Sequence, residues 1–302
     1  MNNLIKTIVL LLIANHAIGQ QMVKKETFDL NKIKELVVHT SGGQIKVDGT
    51  KTGPASIEVW VSRNGSRLSS SDNLEALFRE HFDVSIELQG GKLSATAKRK
   101  NGKRGNNPLS VAFHVIVPQK INTNLQTAGG SINLNTLSGL QNFQTSGGSL
   151  NLKTISGQIS GQTAGGSINA VDCDGTIQLT TSGGSINLDQ VTGKITVSTS
   201  GGSINGKKLS GTIQGQTSGG SITMDMLNVS DNIAFSTAGG SIRIHVPQGS
   251  YIIDLNGSRV SLPSSANFSG ISKKTFAKGT INGGGKKISG STSGGSISLE
   301  FK

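Results

Sequence analysis

Hydrophobic residues recur along the middle of this chain at fixed distances from one phrase, T-[AS]-G-G-S-[IL]. Its threonines are Thr127, Thr145, Thr163, Thr181, Thr199 and Thr217, each 18 residues after the last. Counting from each threonine as zero, position five holds Ile132, Leu150, Ile168, Ile186, Ile204 and Ile222. Position seven holds Leu134, Leu152, Ala170, Leu188, Gly206 and Met224, and position ten holds Leu137, Ile155, Cys173, Val191, Leu209 and Leu227. From the second copy on, position fourteen is Ile159, Ile177, Ile195 and Ile213. Positions five and seven alternate with polar neighbours as a half-buried strand does, and so do fourteen, sixteen and the next threonine. The Gly-Gly pair and the glycines at position twelve (Gly139, Gly157, Gly175, Gly193, Gly211) break the runs. Each repeat therefore predicts turn, strand, turn, strand, with glycine expected where a tight turn needs positive φ.

A fixed period of this size predicts a stacked repeat architecture. Two short strands and two turns make one coil, so the fold class expected is all-β: a single-chain parallel β-solenoid, or β-helix, with 18-residue coils. Coils would stack about 4.8 Å apart with like side chains above like. An antiparallel meander is the rival, because Gly-Gly between alternating strands is also a hairpin signal. It would need roughly twelve strands in one open layer, beyond the usual limit, with nothing to cover its apolar face. A left-handed hexapeptide helix also has 18-residue coils, but its apolar positions recur every six residues and these do not. For a parallel coil the default hand is right.

The remaining chain divides around this block. Residues 1–19 read as a signal peptide: Lys6, an apolar run Ile8–Ile13, and Ala17-Ile18-Gly19 before Gln20. That run is too short to span a membrane as a helix, and no later segment is apolar enough to do so. Residues 20–126 read as a less regular β-rich cap with a diverged T-S-G-G-Q-I at Thr40. Strands are expected at Glu35–Val38, Gln44–Val47, Ser56–Val61 and Val111–Val117. A hairpin is expected between Val84–Leu88 and Lys92–Ala97. One short helix, capped by Ser71-Asp72-Asn73, would carry Leu74, Leu77, Phe78 and Phe82. Residues 127–236 are the regular repeats. Residues 237–302 hold two more copies, at Thr237 and Thr292, and the last is expected to cap the far end.

Composition sharpens the picture. Gly makes up 42 of 302 residues and aromatics 4%, which suits a thin aliphatic core. Basic residues outnumber acidic ones 29 to 17, and without Lys6 the balance is 28 to 17. The one cysteine, Cys173, rules out an internal disulfide and sits on the inward ladder, where it reads as a small buried hydrophobe. With the signal peptide and the V-x-V-P phrase at Val115–Pro118, the T-S-G-G-S-I repeats resemble the bacterial putative-adhesin family of β-solenoid proteins. That resemblance covers nearly all of the chain after residue 19. It implies a secreted or cell-surface role and carries no catalytic motif.

Two features could meet a ligand. Position four is Ser131, Ser149, Ser167, Ser185 and Ser203, and position six is Asn133, Asn151, Asn169, Asn187 and Asn205. Both flank an inward residue, so they predict a flat polar strip that could meet a polysaccharide or cell-surface glycan. Stacked amides also hold a register by bonding to one another, and that reading stands beside the first. The basic run Lys98, Arg99, Lys100, Lys103 and Arg104 predicts a loop that could attract an anionic envelope polymer, or simply be solvated. Position eight predicts a charge stack of Asp189, Lys207 and Asp225. No cofactor or metal is expected: the T-S-G-G-S turn has no carboxylate for calcium. Between Glu87 and Asp172 no Asp or Glu occurs, so no catalytic carboxylate pair is expected there. Nucleic acid is not expected, because no aromatic residues surround the basic run. A structural envelope component without a ligand, and a polysaccharide-active enzyme, are the other functions this sequence admits.

Overall fold

The computed structural model describes residues 20–63, 74–100 and 109–302. The signal peptide, the Ser71-Asp72-Asn73 cap, Lys103 and Arg104 lie outside the described residues. The chain is all-β with mainly parallel strands, and it forms two compact units, Met1–Gly148 and Ser149–Lys302.

The first unit contains β1 (Gln20–Phe28), β2 (Glu35–Thr40), β3 (Ile45–Thr50), β4 (Ala55–Arg63) and α1 (Leu74–His81). After these come β5 (Phe82–Gln89), β6 (Lys92–Arg99), β7 (Leu109–Pro118), β8 (Asn122–Thr127) and β9 (Ile132–Thr145). One ladder runs β1–β4–β7–β3–β9 and the other β5–β6–β2–β8–β9. The repeat at Thr40 lies in register under that at Thr127, with Ile45 beside Ile132. Space and sequence differ in order: β2 and β3 sit between β8–β9 on one side and β6–β7 on the other. Beyond β6 and β7 the pairing turns antiparallel, with β5 on β6 and β4 on β7. The β5–β6 hairpin turns tightly at Gly90-Gly91, both at positive φ.

The second unit contains β10 (Leu150–Thr163), β11 (Ile168–Val171), β12 (Asp174–Thr181), β13 (Ile186–Asp189), β14 (Thr192–Thr199), β15 (Ile204–Thr217) and β16 (Ile222–Thr237). It continues with β17 (Ile242–Val246), β18 (Tyr251–Asn256), β19 (Arg259–Ser261), β20 (Phe268–Ser272), β21 (Phe276–Ile281), β22 (Lys286–Thr292) and β23 (Ser296–Phe301). From β10 to β15 the partners are 18 residues apart and parallel: Leu150 with Ile168, Ile168 with Ile186, and Ile186 with Ile204. Position fourteen follows suit, with Ile159, Ile177, Ile195 and Ile213 side by side. These isoleucines and leucines are buried. Burying one such side chain favours folding by about 1.5–3 kcal/mol, so the ladder is the main cohesive element. An antiparallel meander is ruled out for this block.

Three expectations need correction. The Gly-Gly pair is not a positive-φ corner. Its second glycine is required by close approach: a Cβ on Gly184 would lie 2.2 Å from the Gly166 carbonyl oxygen in the turn below. Positive φ belongs instead to position twelve and, unexpectedly, to position nine, where Thr136, Thr154, Asp172, Gln190 and Lys208 all have φ of 53–57°. Second, Leu227 is 55% exposed. The repeat from Thr217 to Thr237 is two residues longer than the 18-residue repeats before it, and Met226 takes the place beside Leu209 that Leu227 was expected to fill. Third, the copy at Thr292 does not cap the far end. β22 lies between β16 and β18, and β23 between β17 and β19. Beyond β18 the sheet ends in β21, antiparallel to β18, and then β20, antiparallel to β21.

The threonine of each phrase is buried and has a double task. Thr199 Oγ1 donates to the Gly184 carbonyl of the preceding turn (2.8 Å) and accepts the Gly202 amide of its own (3.3 Å). Thr145, Thr181, Thr217, Thr237 and Thr292 repeat the arrangement. Because this hydroxyl joins two turns, it fixes their spacing.

Candidate functional site

The polar strip forms as the alternation predicts, but its groups are engaged with each other. Asn169 Nδ2 donates to Asn151 Oδ1 (2.9 Å), Asn187 to Asn169 (2.9 Å), and Asn205 to Asn187 (3.0 Å). The Ser185 amide donates to Ser167 Oγ (3.3 Å) and the Ser203 amide to Ser185 Oγ (3.2 Å). Asn187 and Asn205 are exposed, whereas Asn151 and Asn169 are half-buried. A side-chain amide has two N–H donors and two acceptor lone pairs, so one bond to the Asn on each side does not use up its capacity. Ser149 begins this strip in the second unit; Ser131 and Asn133 belong to the first unit, where Asn133 lies beside Lys46.

The expected charge stack at position eight forms only in part. Asp189 is the register partner of Lys207. The ladder shifts after Gly206 and Met224, which takes Asp225 out of line, and Asp225 pairs with Lys302.

The basic run is divided by the strand it ends. Lys98 and Arg99 line a cleft of about 360 Å³ in the first unit, together with His39, Thr40, Ser41, Ala97, Gln126, Thr127, Ala128 and Ser146. Lys100 turns the other way and binds the Arg79 carbonyl (2.8 Å) and Asp83 (3.4 Å). Arg99 is held in place: its guanidinium stands 5.2 Å from the centre of the Phe82 ring and donates to the Leu109 carbonyl (3.0 Å).

A third constellation was not foreseen. His114 on β7 bonds Asp48 on β3 through Nε2 (2.8 Å) and faces Glu58 on β4 through Nδ1 (3.5 Å). Lys46 and Asn135 also hold Asp48, at 3.1 and 3.2 Å. Lys25 and the Trp60 indole hold Glu58, at 2.8 and 3.2 Å. Burial raises the Asp48 carboxyl, but hydrogen bonds from His114, Lys46 and Asn135 and the Lys46 charge outweigh it and keep it below the usual value. Glu58 is likewise raised by burial and brought lower by Lys25, Trp60 and the His114 charge. Strand alternation puts each of these residues outward, but nothing in sequence tells that positions 48, 58 and 114 are lateral neighbours. The cluster has the carboxylates and imidazole of acid–base chemistry but no hydroxyl or thiol nucleophile among its members. Cys173 is buried, and burial pushes its thiol up to about 11. Among the described residues, no three His, Cys, Asp or Glu side chains gather as metal ligands would, and no helix is long and apolar enough to cross a membrane.

No protein-family model and no curated protein matches the chain. Solved structures do. The chain is similar to a putative adhesin from Bacteroides fragilis, at 11% identity over 93% of this chain and 97% of that one, with a TM-score of 0.43. It is similar to a putative adhesin from Parabacteroides merdae at 12% identity over 94% and 96%, TM-score 0.33. It is also similar to a putative lipid binding protein from Parabacteroides distasonis at 11% identity over 94% and 97%, TM-score 0.32. All three scores are below 0.5, so the likeness carries no argument about function.

Proposed function

We propose that the protein is an exported, adhesin-like binding protein and not an enzyme. Its regular repeats are a stretch of parallel β-solenoid with 18-residue coils, set between less regular β-rich ends, and a flat polar face meets a polysaccharide or cell-surface glycan. The observation that carries this reading is the repetition of the outward Ser-x-Asn pair in register from Ser149 to Asn205. A ligand with its own repeat can meet such a face many times over, and many weak contacts add up by multivalency.

A second reading, a structural envelope component without a ligand, is favoured by the amide-to-amide bonding of Asn151 through Asn205. One variant separates the two. Asn151, Asn169 and Asn187 are changed together to Ala, and the purified protein is tested on a glycan array and on whole cells. Loss of binding supports the ligand face. Retained binding, or none in the parent, with a lower Tm in the variant assigns the ladder to holding the register. Incubation with uronate polymers that yields unsaturated products would overturn the non-enzymatic reading.

A further inference from the structure

We propose that the cleft at the end of β2 binds the carboxylate or sulfate group of an acidic polysaccharide. The inference rests on the protein's being a binding protein, but not on the amide strip. The cleft has a structural origin. β6 runs parallel to β2, with Ala97 beside Thr40. At Thr40 the chain of β2 leaves into the Ser41-Gly42-Gly43 turn, while β6 continues to Arg99 under cover of its hairpin partner β5. Lys98 and Arg99 therefore overhang a turn that has bent away. His39, between Thr96 and Gln126, faces the same side.

The lining chemistry is one-sided. It offers two permanent cations, an imidazole, an amide and several hydroxyls, and no carboxylate. Lys98 is exposed and has no ion-pair partner among the described residues. Its cross-strand neighbour Asp83 is taken by Lys100. The Phe82 ring and the Leu109 carbonyl already fix Arg99, so little side-chain freedom is lost when an anion arrives. Gln126, Ser41 and Ser146 are donors and acceptors for neighbouring sugar hydroxyls. The volume falls within the 300–1,000 Å³ usual for small-ligand sites and fits one or two residues of a polymer. A lipid headgroup is the weaker occupant, because no large apolar side chain lines the cleft to enter a bilayer. Nucleic acid is weaker still, because no aromatic ring lines it for bases to stack on.

The test measures binding of the full chain to polygalacturonate, dextran sulfate, neutral dextran and phosphatidylglycerol vesicles at low salt. The variants are Lys98→Glu, Gln126→Ala and, as a control for net charge, Lys274→Glu in the second unit. The expected result is binding to the two acidic polymers only, weakened about tenfold or more by Lys98→Glu and several-fold by Gln126→Ala. Lys274→Glu should change it less than about twofold, and Tm should be unchanged in all three. Four results would overturn the proposal: equal weakening by both charge reversals, an undiminished Lys98→Glu, binding to vesicles but not to polymers, and no binding to either acidic polymer. The triple Asn→Ala variant should bind acidic polymer as the parent does, so failure of the strip and failure of the cleft are read separately.

Discussion

Position nine is where single residues carry the most strain. A β-branched residue at positive φ is disfavoured by clash of its Cβ with the backbone, at a cost of roughly 1–2 kcal/mol. Thr154 has φ of 57°. Thr154→Asn, which tolerates that region, should raise stability by up to about 1 kcal/mol, read as a higher denaturant midpoint. The opposite sign is expected at the phrase threonine. Thr199→Val removes a hydroxyl that serves two turns and leaves a half-buried carbonyl and amide short of a partner, which costs about 1–3 kcal/mol. Thr199→Ser should cost less, because the hydroxyl stays. Gly184→Ala should be worse than either, since the new methyl meets a backbone oxygen that cannot move without its whole turn. The sequence made the inward isoleucines plain, because alternation and the 18-residue period agree. It also placed Thr199 inward. What it hid was the reason for Gly184, which lies in the turn below and not in local φ, and the left-handed backbone at position nine, where Thr, Asp, Gln and Lys share no composition signal.

Among the elements, strands were legible where their own alternation was strong: β2, β3, β4, β7 and the β5–β6 hairpin all lie where the pattern placed them. α1 does too, except that it stops at His81, and Phe82, expected on the helix, is instead the first residue of β5 opposite Arg99. β1, β20 and β21 were not, and all three pair antiparallel at the margins of their units. β20 is largely exposed, so it lacks the buried-polar rhythm that reveals a strand. Lateral neighbours were the harder problem. The Asp48–His114–Glu58 network joins three strands whose register is set by the order of layers, which no local pattern encodes. The basic run was seen as one feature, but β6 places Lys98 and Arg99 on the cleft and Lys100 on the helix side. The network has a pH consequence. Both carboxyls are lowered in the folded chain from ordinary values of 3.8 and 4.5. Their stabilisation is therefore complete above those values and lost as pH falls through the lower folded ones. Asp48→Asn with Glu58→Gln should flatten the fall of Tm in acid below about pH 5, relative to the parent.

Over each unit as a whole, one device recurs. A repeat distant in sequence slips between two layers that are nearer each other along the chain: β2–β3 in the first unit, β22–β23 in the second. Antiparallel strands then flank β6 and β7 in the first unit and β18 in the second, and give partners to backbone groups that would otherwise be open to another chain. Deleting residues 286–302 should cost β16, β17, β18 and β19 their amide protection in hydrogen exchange. Adding a peptide of Lys286–Lys302 in trans should restore it.

The placement of β22 and β23 bears on how the second unit is assembled as it is made. Residues 233–246 and 251–261 leave the ribosome first, and they cannot meet each other in their final pairing, because the segment that belongs between them has not yet been synthesised. Until residues 286–301 are in place, the edges of β16 and β18 that β22 joins, and those of β17 and β19 that β23 joins, lack their native partner. Such bare edges invite the wrong strand, so the last segment of the chain to be made is also the one that ends the risk of mispairing.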